Sequence, residues 1–198
     1  MVKKEPPSEK ELEVLQDREF FLIKDSISKK TISCLSEIEQ ALKVEINQSS
    51  SVFPSNAFTQ SGKISKGENY RGLPYFVLDY PRLFSKKEVF AFRTMLWWGN
   101  EFSCTLHIAG DQLKTIRDNA FETIRQESFY FCVSNSQWEH HFDSSNYTSA
   151  NELSVNEMRH HMNTNGFIKV SRKISLQEWT AFKSFTLESF ARFLQIIN

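Results

Sequence analysis

No excess of either charge sign runs through this sequence: 24 Lys and Arg stand against 24 Asp and Glu. A nucleic-acid partner is usually met by net positive charge or by a Lys/Arg stripe. Neither is present, which argues against that class of partner. Cysteine is scarce, limited to Cys34, Cys104 and Cys132, with no CxxC spacing. Each sits in an apolar pattern, so the expectation is buried, reduced thiols rather than a disulfide framework. The longest strongly apolar run, 89–98, is interrupted by Arg93 and is far short of a membrane span. The opening MVKKEPPSEKELE has no apolar core of a secretory signal. These absences point to a cytoplasmic protein without a membrane partner, in which the sequons at Asn47 and Asn146 are chance matches.

Aromatic residues, by contrast, are abundant, with 18 Phe, 5 Tyr and 4 Trp in 198 residues. Such rings carry large burial area into cores and interfaces. The length suits one domain with a core that needs neither disulfide nor metal. The most apolar stretch, 67–110, reads as the centre of the chain. Residues 75–80 form a first strand between Pro74 and Pro81, and the two prolines favour a sheet edge because neither can donate to a ladder. Residues 87–98 and 101–109 form a second and a third.

The turn between these last two leaves the register open. A two-residue turn at Gly99-Asn100 would put Arg93, Met95 and Trp97 on the face of Phe102, Cys104 and Leu106. A three-residue turn at 99–101 would instead gather Phe90, Phe92, Leu96 and Trp98 with that apolar set and leave Arg93 facing His107. Register follows the apolar face, which favours the three-residue turn.

Around this centre, 1–7 reads as a disordered tail and 8–198 as one α+β domain. Ser8 caps a helix opening with Glu9 and Glu11. Helical character runs to about Ile46, with a break between Asp17 and Ser26. Ile27, Thr31, Leu35, Ile38 and Leu42 make its inward stripe. That long amphipathic helix needs a surface to lie on, either the sheet or a second copy of the chain in a homodimer.

A polar loop spans 49–67, and a helix 110–126 follows the third strand. A fourth strand, 129–134, is apolar at nearly every position and so expected to be central and covered on both faces. A second loop spans 135–153. Ser154 with Glu157 opens a short helix that Asn165-Gly166 stops, and a fifth strand covers 167–173. Ser175 with Glu178 opens a C-terminal Phe-rich helix. The expected fold is a mainly antiparallel sheet of about five strands with the N-terminal and C-terminal helices packed on it.

Three groups of residues carry chemical interest. His140 and His141 in WEHHFD, Asp143, and His161 from the pair His160-His161 offer the ligand types of a Zn or Fe site, without a known metal spacing. The plainer alternative packs His161 beside Met158. In ENYRGLPY, Tyr70, Arg71 and Tyr75 suit an anionic or planar ligand, although no phosphate-cradling glycine pattern is present. The ordinary alternative is a turn with Arg71 paired to Glu68 or Asp79. Arg93 is the one charge in an apolar strand and must meet a carboxylate such as Asp79 or Glu88, carbonyls, or a ligand. No GxSxG or Cys–His spacing marks a nucleophile.

The reading favoured by the sequence is a non-catalytic ligand-binding or protein-interaction module. Its rival is a metal-dependent hydrolase-like enzyme built on His140, His141, His161 and Asp143. If the two long loops meet at one end of the sheet, Tyr70, Arg71, Tyr75, Trp138, His140, His141 and Tyr147 line a common cleft for a small carboxylate or phosphate, with Arg71 as anchor.

Overall fold

The computed structural model describes residues 5–48, 53–54, 56–127 and 129–197. The first four residues of the expected tail and the Ser49-Ser50-Ser51 run fall outside the described residues. The architecture is α+β, with helices on an open antiparallel sheet of seven strands in the order β1-β2-β3-β4-β7-β5-β6. The strands are β1 (Lys63–Tyr70), β2 (Leu73–Phe84), β3 (Val89–Trp97), β4 (Glu101–Ala109), β5 (Tyr130–Cys132), β6 (Tyr147–Ser149) and β7 (Phe167–Ser175). The helices are α1 (Glu9–Gln16), α2 (Arg18–Gln48), α3 (Ala120–Gln126), α4 (Val155–Asn165) and α5 (Phe182–Phe193), with three short 3₁₀ turns between elements.

Two strands more than expected come from the stretches read as loops. β1 escapes a periodicity search because it is an edge strand with only Ile64 and Tyr70 among polar residues and glycine, too few to set an alternation, and β6 is only three residues long. β1 also overturns the edge position expected for 75–80, since β2 runs between β1 and β3. Pro81 is accommodated where the β2–β3 register shifts between Asp79 and Arg82, so no ladder bond is demanded of it. The predicted strand 129–134 is covered on both faces but lies one strand from the edge. The predicted helix 110–126 divides into a 3₁₀ turn and α3. Between them Ile116 bridges Ile197, and the Arg117 N–H reaches the Ile196 carbonyl.

Local signals fare better where the chain itself supplies the partner. Ser8 with Glu11, Ser154 with Glu157 and Ser175 with Glu178 all form capping boxes. The helical break falls at Asp17, and α2 continues to Gln48, two residues past the expected end. In the β3–β4 hairpin Leu96 pairs with Phe102 and Arg93 with Thr105, across a three-residue turn at 98–100 rather than 99–101. The apolar face therefore gathers Phe90, Phe92, Leu96, Phe102, Cys104 and Leu106, and Arg93 shares the other face with His107.

That apolar face is the main core. Leu35, Ile38 and Leu42 of α2 and Phe182, Phe185, Phe190 and Phe193 of α5 pack on Phe76, Leu78, Phe92 and Phe102. The Phe102 and Phe182 rings stack at 4.0 Å. Each fully buried ring of this kind contributes roughly 1.5–3 kcal/mol, so the α2/α5 face carries most of the apolar stabilisation. The opposite face is chemically different. It carries Asp79, Arg93, Thr105, His107, Lys169 and Ser171, and among the described residues no helix of comparable length covers it. The chain between β5 and β6 lies over half of this face, leaving a groove over the β1–β3 half.

Candidate ligand groove on the polar sheet face

The connection 133–146 is held down by polar contacts from beneath. Lys169 on β7 is 1% exposed, and its ammonium donates to the Gln137 carbonyl at 3.2 Å and to the Glu139 carbonyl. The cation also lies 5.2 Å from the centre of the Tyr147 ring. Burial pushes its pKa below the usual lysine value. His107 on β4 donates from Nε2 to the Gln137 side-chain oxygen at 2.8 Å, and burial drives its pKa down to about 3. Backbone carbonyls that would otherwise be orphaned beneath the loop thus meet a donor of β7.

A second fastening comes from Tyr70 at the end of β1. Its hydroxyl accepts from the backbone N–H of His140 at 2.6 Å and of His141 at 3.1 Å, and donates to the Glu139 carboxylate at 3.0 Å. The ring is fixed edge-on against Trp97, at 5.1 Å. Arg71 and Gly72 follow with φ of 52° and 85°, and Tyr70 pairs with Leu73, the two-residue turn with two left-handed positions that a twisted hairpin requires. Arg71 is thereby aimed at Asp143, 2.6 Å away, and this guanidinium holds the Asp143 carboxyl below the usual carboxylate range.

Arg93 stands at the junction of loop and sheet. Its Nε and Nη2 bind the two Asp79 oxygens at 2.7 and 2.9 Å, and its Nη1 lies 2.8 Å from His140 Nε2. A guanidinium can only donate, so Nε2 accepts and the imidazole proton sits on Nδ1. Burial first, then the Arg93 charge, pushes the His140 pKa well below its ordinary value and keeps it neutral. The Nε2 lone pair is consumed by this contact.

Beside this junction the sheet is open. A groove of about 510 Å³ has Lys63, Val77, Arg82 and Met95 in its floor and Tyr70, Tyr75, Trp138 and His140 in its walls. Trp138 is 53% exposed. Among the described residues neither Lys63 nor Arg82 has a carboxylate within ion-pair distance. The Arg82 guanidinium lies 5.0 Å from the Phe58 ring, and its Nε is without a hydrogen-bond partner. The groove therefore has two uncompensated cations and an aromatic wall.

The residues singled out from sequence are distributed as follows. Tyr70, Tyr75, Arg93, Trp138 and His140 line the groove, and Arg71 meets Asp143 of the loop. Tyr147 is buried beneath the loop, at 3% exposure, rather than on the groove wall. His141 is buried inside the loop, accepting from the Asp143 N–H at 3.3 Å, with the Glu139 carboxylate 3.7 Å from Nε2. His161 is on α4, edge-on to Phe131 and Phe167, and its ring bonds to Asn165. The structure does not bring it to His140, His141 and Asp143. Among the described residues no group of three or more His, Cys, Asp or Glu side chains is gathered as a metal ion requires. Arg71, expected as the anchor, already holds the Asp143 carboxylate, and Arg93 meets Asp79, one of the carboxylate partners expected for it.

Sequence reasoning passed over Lys63, Arg82 and Lys169. Arg82 follows Pro81 at the register shift, which reverses the alternation and turns it onto the polar face. Lys169 sits in a clean alternation that ordinarily marks a solvent-facing side. Comparison with family models, with curated proteins and with solved structures finds no match.

Proposed function

We propose that the chain is a non-catalytic binding module whose ligand is a small anion on a planar or apolar body, a carboxylate or a phosphate ester. The observation that carries this reading is the pair of cations without carboxylate partners, Lys63 and Arg82, in a groove walled by Tyr70, Tyr75 and Trp138. Arg82 is the anchor, since its planar fork can bind two anion oxygens at once. Arg93, neutralised by Asp79, shapes the floor and leaves the net positive charge to the other two. The aromatic wall offers faces for a ring of the ligand.

The state of the nearby titratable groups supports binding over catalysis. A nucleophilic thiol must be a thiolate, yet burial raises Cys132, the thiol on this face of the sheet. A general base works best with a pKa near the working pH, and His107 is far below it.

Titration calorimetry with inorganic phosphate, benzoate and a nucleoside monophosphate tests the proposal. At least one is expected to bind, and Arg82→Ala to weaken that binding by roughly 10- to 150-fold, the worth of a charge-assisted hydrogen bond of about 1.5–3 kcal/mol. Lys63→Ala is expected to weaken it less, and the thermal unfolding of both variants to stay near that of the parent chain. Absence of binding for all three probes, or an Arg82→Ala chain that binds as well as the parent, would sink the reading.

A further inference from the structure

The N-terminal quarter of the chain presents a surface that its own fold does not use. From Glu9 to Ile23 every residue is exposed, and α2 buries its first residue only at Thr31. Within that stretch Leu12, Val14, Leu15, Phe20, Phe21, Leu22 and Ile23 are exposed by 40% to 65%. The stripe that packs Leu35, Ile38 and Leu42 into the core thus continues outward through Ile27, Ile23 and Phe20 at the same helical spacing. Short helices without tertiary support are marginal in water, so this arm calls for a surface to pack on.

Such a surface begins where α2 reaches the sheet. An apolar pocket of about 390 Å³ is lined by Ile27 and Lys30 of α2 together with Trp98, Phe102, Leu176 and Trp179. Among the described residues Lys30 has no ion-pair partner. The charges of the arm are unevenly spread. Residues 9–19 hold five carboxylates, Glu9, Glu11, Glu13, Asp17 and Glu19, against Lys10 and Arg18. Residues 20–30 hold Lys24, Lys29 and Lys30 against Asp25; Lys24 lies 2.8 Å from Glu68 and Lys29 2.6 Å from Asp25, so Lys30 is the cation of this half left for a partner.

We infer that the arm pairs with the same arm of a second copy of this chain, antiparallel about a two-fold axis near Phe20. A two-fold interface needs a patch complementary to itself, and this one is so in both charge and shape. The acidic half of each arm lies along the basic half of the other. The pocket of each copy takes the partner's Leu12 and Leu15, with Glu9 and Glu13 beside Lys30. A different protein would have no reason to match this internal charge gradient. The residues 9–30 and the pocket rim supply roughly the 20–30 residues a side that a stable interface takes.

Sedimentation equilibrium of the full chain at tens of micromolar reads the outcome. The expected mass is that of a dimer. Phe20→Asp combined with Ile23→Asp is expected to halve that mass while leaving the circular dichroism and thermal unfolding of the sheet in place, because neither side chain is buried. Under mild oxidation Phe20→Cys is expected to cross-link to itself and Leu12→Cys is not, since only positions near the axis meet their own copies. A monomeric parent chain, whether or not it binds another protein or lipid vesicles, overturns the proposal. So does a double variant that keeps the dimer mass, and self-cross-linking of Leu12→Cys overturns the antiparallel arrangement.

Discussion

Gly110 ends the β4 strand with a φ of 64°, and a Cβ placed on it would lie 1.9 Å from the Lys87 carbonyl oxygen. Two separate costs follow for any side chain there. The left-handed backbone costs an L-residue about 1–2 kcal/mol, and the overlap with a backbone oxygen, which has no flexible end to move, about 1–3 more. Gly72, in the β1–β2 turn, isolates the first cost, because its φ is 85° and no atom lies within 4 Å of the added Cβ. Gly110→Ala is therefore expected to lower unfolding free energy by about 2–5 kcal/mol, and Gly72→Ala by no more than about 2. Urea unfolding of the two variants at neutral pH makes the comparison. Equal losses would mean that the approach of the β2–β3 turn to Gly110 relaxes and that sterics at this corner decide nothing. The same residue-level logic governs Arg93, whose carboxylate partner in Asp79 was foreseeable from the cost of an unpaired buried guanidinium.

Among the elements, the 133–146 connection depends most on contacts from distant parts of the chain. The Tyr70 hydroxyl collects two of its backbone N–H groups, and Lys169 two of its carbonyls. Tyr70→Phe keeps the ring against Trp97 but leaves the His140 and His141 amides without their acceptor. At about 1 kcal/mol for each ordinary hydrogen bond, the local opening energy of this segment should fall by about 1–2 kcal/mol. Hydrogen exchange at these two amides is then expected to quicken by roughly 5- to 30-fold while β3 and β4 amides keep their protection. Unchanged exchange at 140–141 would show that packing under Trp138 and Phe142, and not Tyr70, holds the loop. These long-range fastenings also explain what the sequence could and could not reveal. The β3–β4 faces, the Ser8 cap and the capping boxes at Ser154 and Ser175 were legible because each depends on neighbours a few residues away. The β1 strand was not, because its partner β2 supplies the pattern that its own residues lack. Lys169 alternates as a solvent-facing residue should, and only the loop returning over it makes it buried. The groove was half legible: its aromatic wall stood out in ENYRGLPY and in the loop, whereas of its two cations Arg82 depends on a register shift at Pro81 and Lys63 on the strand β1, whose own residues read as loop.

For the molecule as a whole, the consequence of closing a loop over a polar sheet face is a dependence of stability on pH. His107 and His140 are held neutral in the folded chain, with His107 lowered from an ordinary 6.5 to about 3 and His140 also well below its ordinary value. In the unfolded chain both take up a proton near the ordinary value. Between these limits the unfolded state binds more protons than the folded one, so acidification favours unfolding. The contribution is whole above pH 6.5 and is progressively lost as pH falls from there toward 3. Each such histidine changes stability by at most about 1.4 kcal/mol per pH unit, and two together by at most about 2.7. Carboxylates held low by ion pairs, such as Glu39 and Glu188, lose their contribution only below their own ordinary value of 4.5. The interval from pH 6.5 to 5 is thus governed by these two histidines together with His161 on α4, which burial also holds below its ordinary value. Urea unfolding at pH 7, 6 and 5 is expected to show a loss that steepens below 6.5. His107→Gln, which keeps a polar side chain facing Gln137 but cannot titrate, is expected to flatten that slope by about a third to a half. A stability that stays level from pH 7 to 5 would mean that the folded chain protonates these histidines as readily as the unfolded one does. In that case the loop does not seal the face beneath it, and the neutral His140 that receives the Arg93 hydrogen bond is lost with it.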